Sequence, residues 1–192
     1  MTRRVVVVAA PADVTDLALA MLEDVVDLVE AMREVDVALA AAPTADPRVR
    51  EVTWPTTPVL EVDEPRRVAD VLAAAGVLGA EEAAVVVADA PDLPALLLGK
   101  LHSALTAAHV AVCPAEDGSI VALAARLPVP PWVQGLRLSL DDADSVARLR
   151  AAAPARGLVV GPGWHRVRTP ADLHLLDRGL EGWEATRALL GG

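Results

Sequence analysis

Asp89 and Asp92 follow an apolar run at residues 85–88, and Glu116 and Asp117 follow a second run at 110–113, with Pro91 and Pro114 beside them. Apolar β-type runs that end on acids put carboxylates at the carboxyl ends of strands. In an open α/β sheet, that edge is where ligands bind. Two carboxylates held close together there suit a hard divalent cation of the magnesium or manganese type, which prefers oxygen ligands. Such a cation in turn holds phosphate, and the chemistry it serves is nucleotide and nucleotide-sugar transfer.

The intervening elements must bring these acids to one edge. Leu96, Leu97, Lys100, Leu101, Ala104 and Leu105 recur at helical intervals between the two runs. A strand, a crossover helix and a neighbouring strand make a right-handed βαβ unit, whose two carboxyl ends share one side. Buried-type apolar strands are also predicted at 5–9 and 35–41. Short strands are predicted around 49–52 and 59–62, with others at 119–125 and 158–160. Leu17, Met21, Val25, Leu28, Val29 and Met32 form one face of a helix that Asp13 or Thr15 can cap. Residues 64–75 and 141–152 read as helices. Thr169, Pro170 and Asp172 fit the cap, first and third positions of a C-terminal helix. Residues 127–136 read as a proline-rich loop placed to cover the carboxyl edge of the sheet. Strands alternate with helices throughout, which predicts an α/β three-layer sandwich with a mainly parallel central sheet. Residues 1–192 are expected to form a single domain.

Composition narrows the function classes. The chain carries 17 Lys and Arg against 27 Asp and Glu, a formal net charge of −10, which argues against a nucleic-acid partner. With no Phe or Tyr and only four Trp, an aromatic platform for single strands is also excluded. Cys113 is the single cysteine, so neither an intrachain disulfide nor a multi-cysteine zinc site is expected. The opening MTRRVVVVAAPAD imitates a signal peptide, but its apolar run is short and reads better as a first strand. No segment reads as membrane-spanning. A cytoplasmic protein without a membrane partner and without a redox cofactor is expected.

Three segments carry a family resemblance. VVVADAPDLP resembles a hydrophobic strand followed by Gly-Ser-Asp-Cys-Pro-x-Leu. VCPAEDGSIVALA resembles Gly-Pro-Ala-x-Asp-Gly-Gly-Tyr-x-Leu-x-Gly, and VRTPADLHLL resembles Asp-x-Asp-Thr-Pro-x-Asp-Leu. In their order and spacing these segments resemble a bacterial glycosyltransferase-like family of the nucleotide-diphospho-sugar transferase superfamily, the GT-A fold. Its relatives include the molybdenum-cofactor and phospholactate guanylyltransferases. The resemblance covers roughly residue 83 onward, and Pro114-Ala115-Glu116-Asp117-Gly118 is its most specific part. It implies that Asp89 is a metal or phosphate-side acid. It also implies that Asp117 lies at the acceptor or donor pocket, with Gly118 allowing close backbone approach.

The departures from that family matter as much. Its members follow the first strand with a glycine-containing loop ending in Lys-Thr-Arg-Leu, whose cations hold nucleotide phosphates. Here Ala10-Pro11-Ala12-Asp13 leads almost directly into the helix, and the only lysine is Lys100. Where the family has Asp-x-Asp before Thr-Pro, this chain has Arg166-Val167-Arg168. A guanidinium offers no lone pair to a metal. Ser119 and Ile120 replace the second glycine and the tyrosine.

The candidate site is therefore Asp117 and Asp89 as catalytic acids, with Asp89 as the metal ligand. Pro114, Glu116, Gly118, Trp132, Arg166 and Arg168 are the candidate substrate-binding residues. Arg166 and Arg168 alternate along an expected strand, so they share a face. They either meet solvent, neutralise a phosphate or pair with Asp89. His165, beside Trp164, is a base, an acceptor-binding residue or neither. Magnesium or manganese suits the acids, while the arginines and the missing loop weigh against it. One reading is a transferase-like protein with an altered nucleotide and metal site, acting as a binding or partner subunit or as a homodimer through its Ala/Leu/Val-rich helices. The other is an active metal-dependent transferase moving a sugar or nucleotidyl group from a nucleotide or nucleotide sugar to a small acceptor.

Overall fold

The computed structural model describes residues 2–191. Its sheet has seven strands in the order β3-β2-β1-β4-β6-β5-β7. They are β1 (Arg4–Ala9), β2 (Asp36–Ala41), β3 (Val59–Glu61), β4 (Glu82–Val87), β5 (Val110–Pro114), β6 (Ile120–Arg126) and β7 (Leu158–Val160). All pairings are parallel except those made by β6. The helices are α1 (Asp16–Glu30), α2 (Arg48–Glu51), α3 (Val68–Val77), α4 (Ala95–Ala104), α5 (Pro131–Leu136), α6 (Ser145–Ala152) and α7 (Glu184–Leu189), with a 3₁₀ helix at Pro170–Leu175. The fold is α/β, with helices flanking a mainly parallel sheet.

The central strands are apolar on both faces because both faces are covered. Val5 to Val8, Ala83 to Val87 and Ile120 to Ala125 are all inaccessible to solvent. Each valine or leucine so buried contributes about 1.5–3 kcal/mol of transfer free energy. The chain runs one way along the sheet from β1 to β3, then crosses back from β3 to β4 beside β1. Right-handed crossovers then put α1 and α3 on opposite faces. The reversal of strand order at the β1–β4 boundary opens a crevice at their carboxyl ends.

Several expectations are corrected. The strand that precedes Asp89 and the strand that ends in Pro114 are not neighbours: β6 lies between β4 and β5, antiparallel to both. They still run parallel, so the acids still share an edge. Residues 49–52 are not a strand. Asp46 Oδ1 accepts the Arg48 amide at 2.9 Å and starts the helical turn α2 instead. The first residues of β4, Glu82 to Ala84, lie outside the expected run because they lack β-branched side chains. Residues 161–168 form no strand. The segment 127–136 is not simply a loop, and it does not begin at the carboxyl edge. Antiparallel β6 delivers Leu127 to the opposite edge, where its amide donates to the Glu81 carbonyl at 2.9 Å, and residues 131–136 form α5.

Candidate functional site

The crevice at the strand-order reversal holds the acid that the sequence singles out. Asp89 follows β4, and a cavity of about 230 Å³ beside it is lined by Pro11, Asp13, Arg66, Asp89, Asp141 and Arg168, among others. Pro11 and Asp13 come from the short connection between β1 and α1. That connection needs no glycine-rich loop, because Thr15 caps α1 directly, its side chain accepting the Ala18 amide at 3.1 Å.

Arg166 fills the centre of this edge. Its Nε and Nη2 donate to the two carboxylate oxygens of Asp89 at 2.8 and 2.7 Å, a bidentate pair. Nη2 also reaches Asp141 Oδ1 at 2.7 Å, and Nη1 donates to the Leu140 carbonyl at 2.8 Å. The guanidinium is almost wholly buried, with 3% of the side chain exposed. Burial opposes its charge, but Asp89 and then Asp141 outweigh that and raise its pKa. Backbone bonds fix its approach: the Val167 amide donates to the Asp89 carbonyl at 2.7 Å.

Two further residues complete the cluster. Arg66, just before α3, makes a second fork with Asp141, at 3.0 and 2.6 Å. Burial pushes Asp141 up, but Arg66 and then Arg166 override it and hold its carboxyl well below the usual carboxylate range. Sequence reasoning named neither Arg66 nor Asp141. Both sit at helix entries, where charged residues ordinarily face water, and no local pattern points to them.

Arg168 ties Asp117 into the same network. Its Nη1 lies 3.2 Å from Asp117 Oδ2, and its Nη2 donates to the Ser119 hydroxyl at 2.8 Å. Asp117 Oδ1 accepts the Ser119 amide at 3.0 Å. Burial raises the Asp117 pKa, but Ser119 and then Arg168 and Arg166 prevail and lower it. Asp89 and Asp117 thus meet through Arg166 and Arg168, both of which reach the Ser119 hydroxyl.

The other named residues are placed as follows. Gly118 has φ +85°, and a Cβ there would lie 2.2 Å from the Ala143 carbonyl oxygen. Its close approach is therefore to the chain itself. Pro114 and Glu116 line a separate cleft of about 400 Å³ with Ala115, Gly163, Trp164 and His165. Trp132, on α5, lines neither the cavity beside Asp89 nor this cleft.

A second buried acid organises the C-terminal segment. The Asp92 side chain is fully buried and accepts four contacts. His165 Nε2 lies 2.9 and 3.0 Å from its two oxygens, Trp164 Nε1 donates at 3.2 Å and the Asp177 amide at 2.8 Å. Trp164 stacks on the His165 ring, with centroids 4.8 Å apart. With Nε2 against Asp92, Nδ1 is the ring nitrogen left for a ligand in the cleft. The sequence signal was the doubling of acids around Pro91, which the reading assigned to Asp89 alone.

A divalent cation does not fit this donor set. Both Asp89 oxygens are occupied by a guanidinium. Among the described residues no group of three or more His, Cys, Asp or Glu side chains is arranged to share a metal. Cys113 is no substitute, since burial pushes its thiol up to about 12. No described helix is long and apolar enough to cross a membrane.

Comparison with known proteins agrees on architecture. No protein-family profile and no curated protein matches the chain. Solved structures do. One, from Desulfovibrio desulfuricans G20, bears the name of a nucleotide-diphospho-sugar transferase. It has a TM-score of 0.68 at 15% identity over 98% of this chain and 95% of its own. A CMP:2-keto-3-deoxy-manno-octonic acid synthetase complexed with CTP has a TM-score of 0.65 at 16% identity, over 98% of each chain. Rv0371c of Mycobacterium tuberculosis H37Rv, complexed with manganese, has a TM-score of 0.56 at 19% identity, over 91% of this chain and 97% of its own. The chain has the fold of nucleotide-diphospho-sugar transferases and nucleotidyltransferases.

Proposed function

We propose that this chain is a glycosyltransferase- or nucleotidyltransferase-like protein whose nucleotide and metal site has become an internally neutralised ion network. It binds divalent metal and nucleotide weakly and acts by binding rather than by metal-dependent transfer. The observation that carries the reading is the buried, bidentate hold of Arg166 on Asp89. The guanidinium takes the oxygens a cation would need. Charge balance supports the same reading. Arg66, Arg166 and Arg168 face Asp89, Asp117 and Asp141, three positive groups against three negative, so little net field is left for a phosphate. Asp13, also lining the cavity, adds a further negative charge.

A thermal-shift screen of nucleotides and nucleotide sugars, with and without Mg²⁺ or Mn²⁺, tests this. Ligands at or below their Kd stabilise by less than about 0.5 kcal/mol and leave the midpoint almost unmoved. A rise of several degrees with one nucleotide and a metal contradicts the reading.

A second reading, an active transferase, is favoured by one observation. His165, held by Asp92 beside the 400 Å³ cleft, is suited to take a proton from an acceptor hydroxyl. Product formation from a nucleotide sugar, lost in His165→Gln with folding intact, would favour it.

A further inference from the structure

We propose that the groove between α1, α7 and residues 48–55 is a docking site for a basic amphipathic helix of a partner protein. It is a hollow of about 960 Å³. Its apolar floor includes Leu19, Val52, Trp54, Pro55, Ala188 and Leu189. Trp54 is 66% exposed and Leu189 49% exposed, and large apolar side chains gathered this openly mark interaction surfaces. Trp54 also borders a second hollow, lined by Val35, Asp36 and Val37 at the start of β2.

The groove is built rather than accidental. Asp24 of α1 is buried, and its two oxygens accept the Ala185 and Thr186 amides at the start of α7, each at 2.8 Å. A carboxylate on these otherwise orphan amides fixes α7 against α1 and forms one wall.

Charge identifies the occupant. Glu23, Asp27 and Glu51 rim the floor and make no ion pair among the described residues. The one lining cation, Arg48, is committed to Asp46 and Asp16. Glu23 and Asp27 are one helical turn apart, where like charges repel. Burial and then the neighbouring Asp27 and Asp24 charges raise the Glu23 pKa. An amphipathic helix seats apolar anchors on Trp54 and Leu19 and points Lys or Arg at the rim. A second copy of this chain, at −10, meets the rim with the wrong sign.

The test is titration of the full chain with a synthetic Leu/Lys amphipathic helix, read by tryptophan emission and calorimetry. A scrambled peptide of the same composition, with no apolar face, is the control. Binding is expected to weaken by at least about tenfold in Trp54→Ala (calorimetry) and in Glu23→Gln/Asp27→Asn. It stays unchanged in Asp63→Asn/Glu181→Gln, which removes the same charge elsewhere. Circular dichroism confirms folding of each variant. No binding, equal binding of the scrambled peptide, or indifference to the groove variants overturns the proposal. So does self-association that requires Trp54, which would make a second copy the occupant. None of these outcomes depends on metal or nucleotide, so this proposal and the reading of the Asp89 site can fail separately.

Discussion

The Asp89 edge and the α1–α7 groove use carboxylates in opposite ways. At the edge, Asp89, Asp117 and Asp141 each meet a guanidinium, and the pKa values of Asp117 and Asp141 are lowered. On α1, Glu23, Asp24 and Asp27 meet no cation among the described residues, and burial raises all three. The edge carries the acids that the sequence resemblance marks, and each of them already faces a guanidinium of the same chain. The groove is lined by other residues and keeps its charges and an aromatic side chain open. An acid's position in the fold is therefore a weaker guide to ligand binding than whether the chain has already supplied its counter-charge.

The strongest way to break the comparison is at Arg166. Arg166→Met leaves the partly buried carboxylates of Asp89 and Asp141 facing one another with only Arg66 beside them, and is expected to cost about 3 kcal/mol in urea unfolding. Arg166→Met/Asp89→Leu is expected to cost less than the single variant, because the stranded charge goes too. Equal stability of Arg166→Met and the parent would show that the network is a surface decoration.

Asp92→Ala is expected to cost about 1–3 kcal/mol, since Trp164, His165 and the Asp177 amide lose one shared acceptor. The same denaturation experiment checks it.

Acid titration separates the two regions by sign. Asp141 and Asp117 have lowered folded pKa values, so the unfolded chain binds protons first as pH falls. Their contribution is full above the unfolded value of about 3.9 and is lost as pH falls through the folded values. Glu23, Asp24 and Asp27, raised in the folded chain, behave the other way. Their contribution is full below the unfolded values and is lost as pH rises through the folded ones. Asp141→Asn should therefore flatten the fall in stability below about pH 4. A slope unchanged from the parent would remove Asp141 from the account.

The smallest effect is expected at the groove. Glu23→Gln/Asp27→Asn should raise neutral-pH stability by about 0.2–0.5 kcal/mol by relieving like charges a turn apart. A loss of stability would mean that these acids have partners in the folded chain.

Much of the fold was legible because it is local. The valine runs of β1 and β5 and the spacing of Leu17, Met21 and Val25 in α1 report burial directly. The Thr169 and Asp172 signature does produce a capping box, though on a 3₁₀ turn. What was not legible is long-range. Arg66 meets Asp141 across 75 positions, whereas the Arg166–Asp89 pair, across 77, was one of the alternatives the sequence offered and only the folded chain selects it. Arg66 and Asp141 leave no periodic trace of their pairing. Gly118 was read as room for a ligand because a turn glycine looks alike whether a substrate or the Ala143 carbonyl lies against it. The Asp117-Gly118 turn was legible, but its consequence was not: antiparallel β6 ends at the edge opposite the site, so the proline-rich segment with Trp132 starts there.

The most direct measurement is calorimetric titration of Mn²⁺ into the unmodified chain, alone and with each nucleotide. With Arg166 on the Asp89 oxygens, no binding tighter than the millimolar range is expected, on the order of −4 kcal/mol. Micromolar, nucleotide-dependent Mn²⁺ binding would contradict the account and make the chain a metal-dependent transferase.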